Sequence, residues 1–244
     1  MGCDGSNDAV AVSVRGLWVS YPDGPDVLRD TNLQVRVGER VGSIGPNGAG
    51  KTTLFLALCG VLRPQAGQIL LFDRPVAAGR FRPEVGLVFQ NPDDQLFSAS
   101  VWDDVAFGPQ NLGLSEAEVE RRTRAALEVA GVADLAHCAP HHLSGGQKRM
   151  AAIASILSMQ PKLVVYDEPT ANLDLRSRRR LIEFLQSSHE TLLVASHDLE
   201  FLLEACDRVI LVDDGRIVAD GDPAKIMGDA ELMAAHGLEK PPSL

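Results

Sequence analysis

The sequence predicts an α/β protein whose ligand site lies where its strands end. Residues 45–53 form a glycine-rich loop with the spacing G-x-x-x-x-G-K-[ST], between an apolar run at 41–44 and a helical apolar pattern that begins near Lys51. Two further apolar runs, 163–166 and 191–195, each end in polar residues. Because open α/β sheets bind ligands beyond the carboxyl ends of their strands, we expect these ends to lie near the glycine-rich loop.

Length, charge and cysteine content limit the class of protein. The 244 residues, 45% of them hydrophobic and 23% charged, can bury a sizeable core as one large domain or as a domain with an inserted lobe. A formal net charge of −10 opposes a broad electrostatic attraction to nucleic acid or to an anionic membrane, so no nucleic-acid partner is expected. Four cysteines without a C-x-x-C pair suit a reduced, cytosolic protein. No secretory signal and no membrane-spanning apolar run is found, so membrane attachment is expected to come through a partner.

Two strands are predicted ahead of the glycine-rich loop. Residues 1–9 are small and polar and are expected to be disordered. Alternating apolar residues at 10–19 and at 33–37 predict two strands that form a β layer beside the site, the first of them ended by a turn at 21–24. Tyr21, at the end of the first strand, could stack on an adenine ring, although a tyrosine in this position more often serves packing alone.

The glycine-rich loop has the chemistry of a phosphate site. Its amides and the N-terminus of the following helix form a nest of positive dipoles for phosphate oxygens. Lys51 adds a full charge against the β- and γ-phosphates, and the hydroxyl of Thr52 can complete the coordination of Mg²⁺. The alternative, a glycine turn that only caps an ordinary helix, is disfavoured by the match of the pattern and of both flanks. The residues assigned to this site are Gly45, Pro46, Asn47, Gly48, Ala49, Gly50, Lys51, Thr52 and Thr53.

The middle of the chain combines short strands, a loop and a helix. Apolar runs at 67–72 and 85–89 predict strands, and the second leads to Gln90, whose amide could bind Mg²⁺, orient a water or simply be solvated. Residues 96–113 carry more aromatic and apolar side chains than is usual for a loop, and they either pack on their own domain or form a docking surface for another protein. A Ser-x-x-Glu capping box opens a helix predicted over 115–130.

Residues 143–147, Leu-Ser-Gly-Gly-Gln, allow two interpretations. Ser144 and Gln147 have the spacing of a capping box, which by itself only starts a helix. Gly145 and Gly146 expose main-chain amides at the N-terminus of that helix, beside a serine hydroxyl. This is also the arrangement of a second anion site.

Acidic residues and a histidine follow the two later strands. Asp167 comes directly after 163–166 and suits the coordination shell of Mg²⁺, and the adjacent Glu168 is placed to polarise an attacking water. His197 follows 191–195 and presents an imidazole at the same edge.

With these motifs in this order, the chain from Val10 to Gly221 resembles the nucleotide-binding subunits of ABC transporters. The resemblance implies a P-loop NTPase fold of the ABC ATPase type, with a mixed β core, an inserted helical subdomain and an N-terminal antiparallel β layer. On this basis residues 1–244 form a single ABC ATPase domain. Its expected parts are a nucleotide-binding core at 10–90 and 162–221, a helical subdomain at 91–161 and a short C-terminal helical tail at 222–244.

The resemblance also implies ATP and Mg²⁺ as cofactors and a role for each motif. The residues implied in hydrolysis are Lys51, Gln90, the catalytic base Glu168 and His197, and those implied in metal binding are Thr52, Gln90 and Asp167. In chain order the family's motifs are the adenine-stacking Tyr21, the Walker A loop 45–53, the Q-loop Gln90, the signature 143–147, the Walker B strand 163–167, the D-loop 171–174 and the switch His197. Tyr166 and Asn172 depart from the residue types usual at their positions.

The same resemblance suggests partners. A signature in one copy that caps the ATP held by the Walker A loop of another implies a head-to-tail dimer, self-paired or with a close relative. Residues 91–97 and 103–109 look like those of energy-coupling-factor importers, in which separate ATPase, scaffold and substrate-capture subunits take up transition metals or vitamins. The end of the chain, 236–244, is similar to the cobalt/nickel branch. A transmembrane scaffold is expected to dock near 90–107 and to hold the protein at the cytoplasmic face of the cell membrane.

Other interpretations remain open. The importer could carry a vitamin or another small solute. Soluble ABC ATPases that act on ribosomes or DNA usually have tandem cassettes or a long coiled coil, and this sequence has one cassette and no extended heptads. A non-hydrolytic ATP-responsive module is disfavoured by the presence of Glu168 and His197. The His- and Cys-containing segment 137–142 could bind a metal, although its spacing suits a solvated loop with a buried cysteine better.

Overall fold

The computed structural model describes residues 9–22 and 24–244, which form two compact units. The first unit contains the chain up to Arg82 and from His189 to Leu244, and the second contains 83–188. The disorder expected at 1–9 falls almost wholly outside the described residues. Part of the turn predicted at 21–24 also lies outside the described residues. Across this turn, the amide of Gly24 donates to the carbonyl of Tyr21 at 3.0 Å.

The described residues form ten strands and eight α-helices. The strands are β1 (Val10–Ser20), β2 (Asp26–Arg36), β3 (Arg40–Ile44), β4 (Ala66–Leu71), β5 (Arg74–Pro75), β6 (Val85–Val88), β7 (Leu163–Asp167), β8 (Thr191–Ala195), β9 (Arg208–Asp213) and β10 (Arg216–Gly221). The α-helices are α1 (Lys51–Leu58), α2 (Val101–Asn111), α3 (Glu116–Val129), α4 (Gly145–Leu157), α5 (Leu175–Ser187), α6 (Leu199–Ala205), α7 (Pro223–Gly228) and α8 (Ala230–Ala235).

The N-terminal β layer of the first unit is an antiparallel sheet in the order β2-β1-β4-β5. Val14 of β1 lies opposite Leu33 of β2, and both side chains are buried, as the alternating pattern predicts. Strand β2 begins at Asp26, seven residues before the alternation that predicted it. Asp30 has a φ of 51° near irregularities in the β1–β2 register, and such a bulge hides the two-residue period in the sequence.

The second sheet of the first unit has the order β10-β9-β3-β8. Strand β3 runs parallel to β8 and β9, with Ser43 beside Ala195 and Ile44 beside Leu211, while β10 is antiparallel to β9. The sheet is therefore mixed, as predicted. Because β3 and β8 end level with one another, the glycine-rich loop and the segment after β8 leave the sheet at the same edge.

A hairpin turn between β9 and β10 joins the two sheets of this unit. The Asp-Gly pair predicts a turn with positive φ angles, and Asp214 and Gly215 have φ angles of 44° and 72°. The guanidinium of Arg29 on β2 pairs with the carboxylate of Asp214 at 2.8 Å, and the hydroxyl of Thr31 donates to the carbonyl of Gly215 at 2.7 Å. The amide of Gly215 donates to the carbonyl of Ala49 at 3.1 Å. The hairpin thus supports the glycine-rich loop from the β2 side.

The second unit pairs two parallel strands with four helices. Strand β6 runs beside β7, with Val88 next to Tyr166, and helices α2, α3 and α4 pack on one another. Between β6 and α2, residues Pro92–Asp94 form a short 3₁₀ helix. Among the described residues of the whole chain, no helix has the length and apolar character to span a membrane.

Helix α2 occupies Val101–Asn111, within the stretch 96–113 whose apolar and aromatic content is unusual for a loop. Gly108 and Pro109 are poor helix formers and predict that a helix would end there, but α2 continues through both. A Cβ at Gly108 would lie 2.5 Å from Cγ of Met159, so the glycine permits close packing at this point. Tertiary contact here outweighs the local cost of two poor helix formers.

Candidate nucleotide-binding site

The glycine-rich loop lies between β3 and α1, as the sequence predicts. Gly45 has a φ of 146°, and a Cβ on it would lie 2.0 Å from the carbonyl oxygen of Val212. Gly50 has a φ of 107°, and a Cβ there would lie 2.8 Å from a methyl group of Leu28. Both positions thus require glycine for conformation and for space. Gly48 needs it only for its φ of 80°.

Lys51 is folded over this loop. Its side chain is buried, and its ammonium group donates to the carbonyl oxygens of Gly45 at 2.6 Å and Pro46 at 3.0 Å. The charge is therefore fixed at the N-terminus of α1, where loop amides and the helix dipole already favour an anion. Thr52, the next residue, is exposed, as are Asn47 and Gly48 in the loop.

Tyr21 is held by its hydroxyl while its ring stays accessible. The hydroxyl oxygen lies 3.3 Å from Oγ1 of Thr53 in α1, which ties the end of β1 to the helix behind the phosphate loop. The side chain is 41% exposed and lines an open cleft of about 670 Å³ with residues 61–65. An accessible ring beside the phosphate loop suits the stacking role that the family resemblance implies for Tyr21.

His197 occupies the short connection between β8 and α6. Asp198 caps α6 by accepting a hydrogen bond from the amide of Phe201 at 2.9 Å, and Ser196 accepts one from the amide of Asp198 at 3.1 Å. These two hydrogen bonds hold the main chain on both sides of His197. His197 itself is exposed at the edge from which the phosphate loop also leaves the sheet.

The second unit brings together the other candidate residues. Gln90 follows β6, Asp167 ends β7 and Glu168 comes directly after it, so all three lie at one edge of the parallel pair. Glu168 has a left-handed φ of 47°, a conformation that costs a non-glycine residue roughly 1–3 kcal/mol. The fold holds this carboxylate in a strained main-chain position directly after the acidic end of β7.

The signature segment forms a full capping box at the start of α4. The hydroxyl of Ser144 accepts from the amide of Gln147 at 3.3 Å, and the side-chain oxygen of Gln147 accepts from the amide of Ser144 at 2.9 Å. Ser144 and Gly145 are exposed. A Cβ at Gly146 would lie 2.1 Å from Oγ of Ser177 in α5, whereas one at Gly145 would meet only ordinary contacts. One glycine is therefore required by helix packing, and the other leaves the surface of the helix N-terminus open.

The sequence motifs do not indicate a role for Arg149. It is 1% exposed, and its guanidinium donates to the carbonyl oxygens of Phe89 and Gln90, each at 2.6 Å. Burial lowers the pKa of Arg149 to about 10. It lines a cavity of about 320 Å³ together with Gln90 and Gly145. The only sequence signal is an arginine placed directly before the apolar face of α4, where a charged side chain breaks the pattern.

The aromatic segment after Gln90 is partly core and partly surface. Val101 and Val105 are buried, while Phe97 and Phe107 are 67% and 48% exposed and meet edge to face at 5.0 Å between ring centroids. Trp102 stacks on the ring of His137, and the guanidinium of Arg124 lies over the Trp102 ring, 5.4 Å from its centroid. The two phenylalanines form a small exposed patch, here called the Phe97/Phe107 patch.

Segment 137–142 is organised by ring contacts. His137 stacks on Trp102, and the rings of His141 and His142 lie 4.2 Å apart. Over residues 9–22 and 24–244, no group of three or more histidine, cysteine or acidic side chains is arranged to hold a metal ion. Cys138 is partly exposed, although a buried cysteine was expected.

A comparison of the chain with known protein families shows the family to which it belongs. The model of the ABC transporter family matches residues 28–171, more than half of the chain. The chain belongs to the ABC transporter ATP-binding family. It is an ATPase of that family, and the P-loop fold of the ABC type predicted from the sequence is confirmed.

Individual ABC relatives cover nearly the whole chain. A Synechocystis sp. protein named for an ABC transporter ATP-binding role (sll0385) is 56% identical over 96% of this chain and 82% of its own length. The energy-coupling factor transporter ATP-binding protein EcfA of Methanothermobacter thermautotrophicus is 47% identical over 94% of this chain and 76% of its own. The structure of cbiO1 from Clostridium perfringens, part of the ABC transporter complex cbiONQ, has a TM-score of 0.82 at 36% identity and covers 93% of this chain and 94% of that one. The resemblance to energy-coupling-factor ATPases is thereby confirmed.

Proposed function

We propose that this ABC ATPase powers a multisubunit membrane importer of the energy-coupling-factor type that carries cobalt or nickel ions. The observation that carries the proposal is the full set of family residues at the ends of the strands that the sequence assigned to them. The relatives named EcfA and cbiO1 support the importer type. The metal cargo rests on the similarity of residues 236–244 to the cobalt/nickel branch.

We assign the nucleotide-binding and catalytic roles as follows. The loop 45–53 holds the phosphates, with Lys51 as its fixed charge, and the exposed ring of Tyr21 stacks on adenine. Thr52, Gln90 and Asp167 supply hydroxyl, amide and carboxylate oxygens, the donors that Mg²⁺ prefers, and bound Mg²⁺ neutralises charge on the phosphates.

Glu168 is the proposed general base and His197 the residue that contacts the terminal phosphate. Glu168 follows β7 directly and His197 lies two residues after the end of β8, so the sheet restricts the main-chain position of each before any ligand binds.

The substitution Glu168→Gln tests the assignment of the base. It keeps the size of the side chain and removes the proton acceptor, so turnover should fall by roughly 10²–10⁴-fold, the usual contribution of a general base. Phosphate release at saturating MgATP measures it. Glu128→Gln, an exposed position in α3, is the matched control and should retain wild-type turnover. Near-normal hydrolysis by Glu168→Gln would assign the base to another residue.

The second part of the proposal is a head-to-tail dimer. The sequence has one phosphate loop and one signature, and Ser144 and Gly145 present an exposed, capped helix N-terminus that can receive a γ-phosphate from another molecule. ATP bound between two copies stabilises their association, because it binds the closed pair more tightly than the open one. The partner is a second copy or a close relative.

Sedimentation of the Glu168→Gln protein tests the dimer. With MgATP it should sediment as a dimer, and with nucleotide omitted as a monomer. Gly145→Arg in the same background places a long charged side chain on the open face of the signature and should leave a monomer that still binds ATP. A monomer at saturating MgATP in the Glu168→Gln protein would contradict the proposal.

The remaining partners follow from the importer type. A transmembrane scaffold docks at 90–107, a membrane-embedded capture subunit brings the substrate, and the ATPase lies peripherally at the cytoplasmic face of the membrane. A vitamin importer and a soluble ABC ATPase are the alternatives. Accumulation of cobalt, nickel and a water-soluble vitamin by cells that contain the complete transporter, with the wild-type or the Glu168→Gln chain, separates these cases. ATPase-dependent accumulation of neither metal would contradict the assigned cargo.

A further inference from the structure

Arg149 is a buried arginine whose hydrogen bonds go to the main chain of the Q-loop. Its two terminal nitrogens donate to the carbonyl oxygens of consecutive residues, Phe89 and Gln90, each at 2.6 Å. These carbonyls lie where β6 ends and the candidate metal ligand Gln90 begins its loop. The guanidinium therefore fixes the point from which the Gln90 side chain starts.

Two other side chains reinforce the same connection. The ammonium of Lys148 pairs with the carboxylate of Asp93 at 2.6 Å. The side-chain nitrogen Nε2 of Gln95 donates to the carbonyl of Ala152 at 2.6 Å and to the hydroxyl of Ser155 at 2.9 Å. The loop 89–95 is thus tied to α4 near its beginning, its middle and its end.

The chemistry of the guanidinium explains why this residue is an arginine. Its planar fork can donate two parallel hydrogen bonds to carbonyls one residue apart, whereas a lysine has a single nitrogen. Burying a charged group is unfavourable unless its hydrogen bonds are made. Arg149 is retained at 1% exposure although Met150 and Ile153 beside it are buried apolar residues. An apolar side chain would fill the site but would leave two carbonyl oxygens without these donors.

We infer that Arg149 is a positioning residue for ATP hydrolysis. It links the loop that carries Gln90 to helix α4, which begins at the signature, so that the two move as one rigid unit. Helix α4 begins at the signature cap Ser144, so a displacement of the loop 89–95 is passed to Ser144 and Gly145 through Arg149. The inference rests on the proposed role of Gln90 as a metal ligand. It adds that the position of this ligand is set from α4.

A Mg²⁺ titration of ATPase activity tests the inference with the full-length protein. Arg149→Met keeps the length and removes both donors, and the Mg²⁺ concentration for half-maximal activity should rise on the order of 10-fold, as when the support of a metal ligand is lost. The KM for ATP should stay unchanged, because residues 45–53 hold the nucleotide. Arg149→Lys can restore one bond and should give a smaller rise. Arg121→Met, an exposed arginine-to-methionine change in α3, is the matched control and should leave the titration unchanged.

Hydrogen exchange supplies a readout that does not depend on activity. The amides of 89–95 should exchange faster in Arg149→Met and Arg149→Lys than in the wild-type or Arg121→Met protein, with the amides of α1 unaffected. If Arg149→Met fails to fold, Arg149→Lys carries the test. Thermal melting separates the inference from a purely structural role, which would lower the melting temperature without changing the Mg²⁺ requirement.

Gln90→Ala distinguishes failure of the inference from failure of the proposed function. The inference would be overturned if the Mg²⁺ concentration for half-maximal activity changes in Gln90→Ala but stays at the wild-type value in both Arg149 variants. An unchanged requirement in Gln90→Ala would instead overturn the metal role of Gln90. In that case, amide hydrogen exchange of 89–95 at the wild-type rate in the Arg149 variants would also overturn the proposed link between this loop and α4.

Discussion

Gly45 opens the phosphate loop where its main chain passes β9. With a φ of 146° and a carbonyl oxygen of β9 only 2.0 Å from where its Cβ would be, it cannot be another residue without a shift of the main chain. Gly48 belongs to the same loop, but no described atom lies within 4 Å of the position of its Cβ. The loop therefore depends on its first glycine for both space and conformation.

Gly45→Ala is predicted to disrupt the loop, and Gly48→Ala to be milder. Forcing a methyl group against Val212 should destabilise the protein by about 1–3 kcal/mol or displace the loop, since overpacked sites cost this much. Thermal melting and binding of a fluorescent ATP analogue measure the two effects. Equal losses in both variants would show that conformation alone, rather than contact with β9, sets the requirement.

Helix α4 serves two functions at its first turn. The capping box satisfies the amides at its N-terminus, Gly146 lets it approach α5, and Gly145 keeps its surface open. The two adjacent glycines of this motif thus have different structural roles. Their roles can be separated because one faces Ser177 and the other does not.

Gly146→Ala is predicted to lower stability, whereas Gly145→Ala should leave stability nearly unchanged. The added methyl group at 146 would overlap Oγ and Cβ of Ser177, at a cost of about 1–3 kcal/mol. Denaturant unfolding of each variant gives the free energy of unfolding. Adding Ser177→Gly to Gly146→Ala should recover most of the loss. If the double variant stays as unstable as Gly146→Ala, contact with α5 is not the reason for this glycine.

At the scale of the whole molecule, the acidic net charge and the exposed Phe97/Phe107 patch bear on partners. A protein with a formal charge of −10 has little general attraction for nucleic acid or an anionic membrane surface, so its association with other molecules depends on specific surfaces. The patch lies in the second unit, on the segment that the importer resemblance assigns to scaffold docking. Exposed aromatic pairs of this kind are typical contact residues in protein interfaces.

Co-purification with the scaffold subunit tests the patch. Phe97→Ala is predicted to lower the yield of complex strongly, and Trp102→Ala to lower it too, because both residues lie on the segment 90–107 that is proposed to dock the scaffold. Phe81→Ala is the matched control, since Phe81 is also 67% exposed but lies in the first unit. ATPase activity of the isolated variants should stay at the wild-type level. An unchanged complex yield with Phe97→Ala would place the docking surface elsewhere.

Sequence patterns determined the features that depend on local geometry. The order of glycines, lysine and threonine in 45–53 predicted a strand–loop–helix unit, because only glycine accepts the positive φ angles and close approaches involved. The Asp-Gly pair at 214–215 and the capping residues Ser115 and Ser144 predicted a turn and two helix starts correctly, since each acts through bonds to its own neighbours. The order of the motifs along the chain was sufficient to indicate the ABC family, because each motif is a short stretch of contiguous residues.

Contacts between residues distant in the chain decided what the patterns left undetermined. Helix α2 forms across Gly108 and Pro109 because packing near Met159 outweighs their poor helix propensity, and β2 extends past a bulge that erases its alternation. Arg149 resembles a surface residue in the sequence, and only the fold brings it to the carbonyls of Phe89 and Gln90, some sixty residues earlier. Short-range patterns carry backbone preferences, whereas burial and the partners of a buried charge arise only when separate elements pack together.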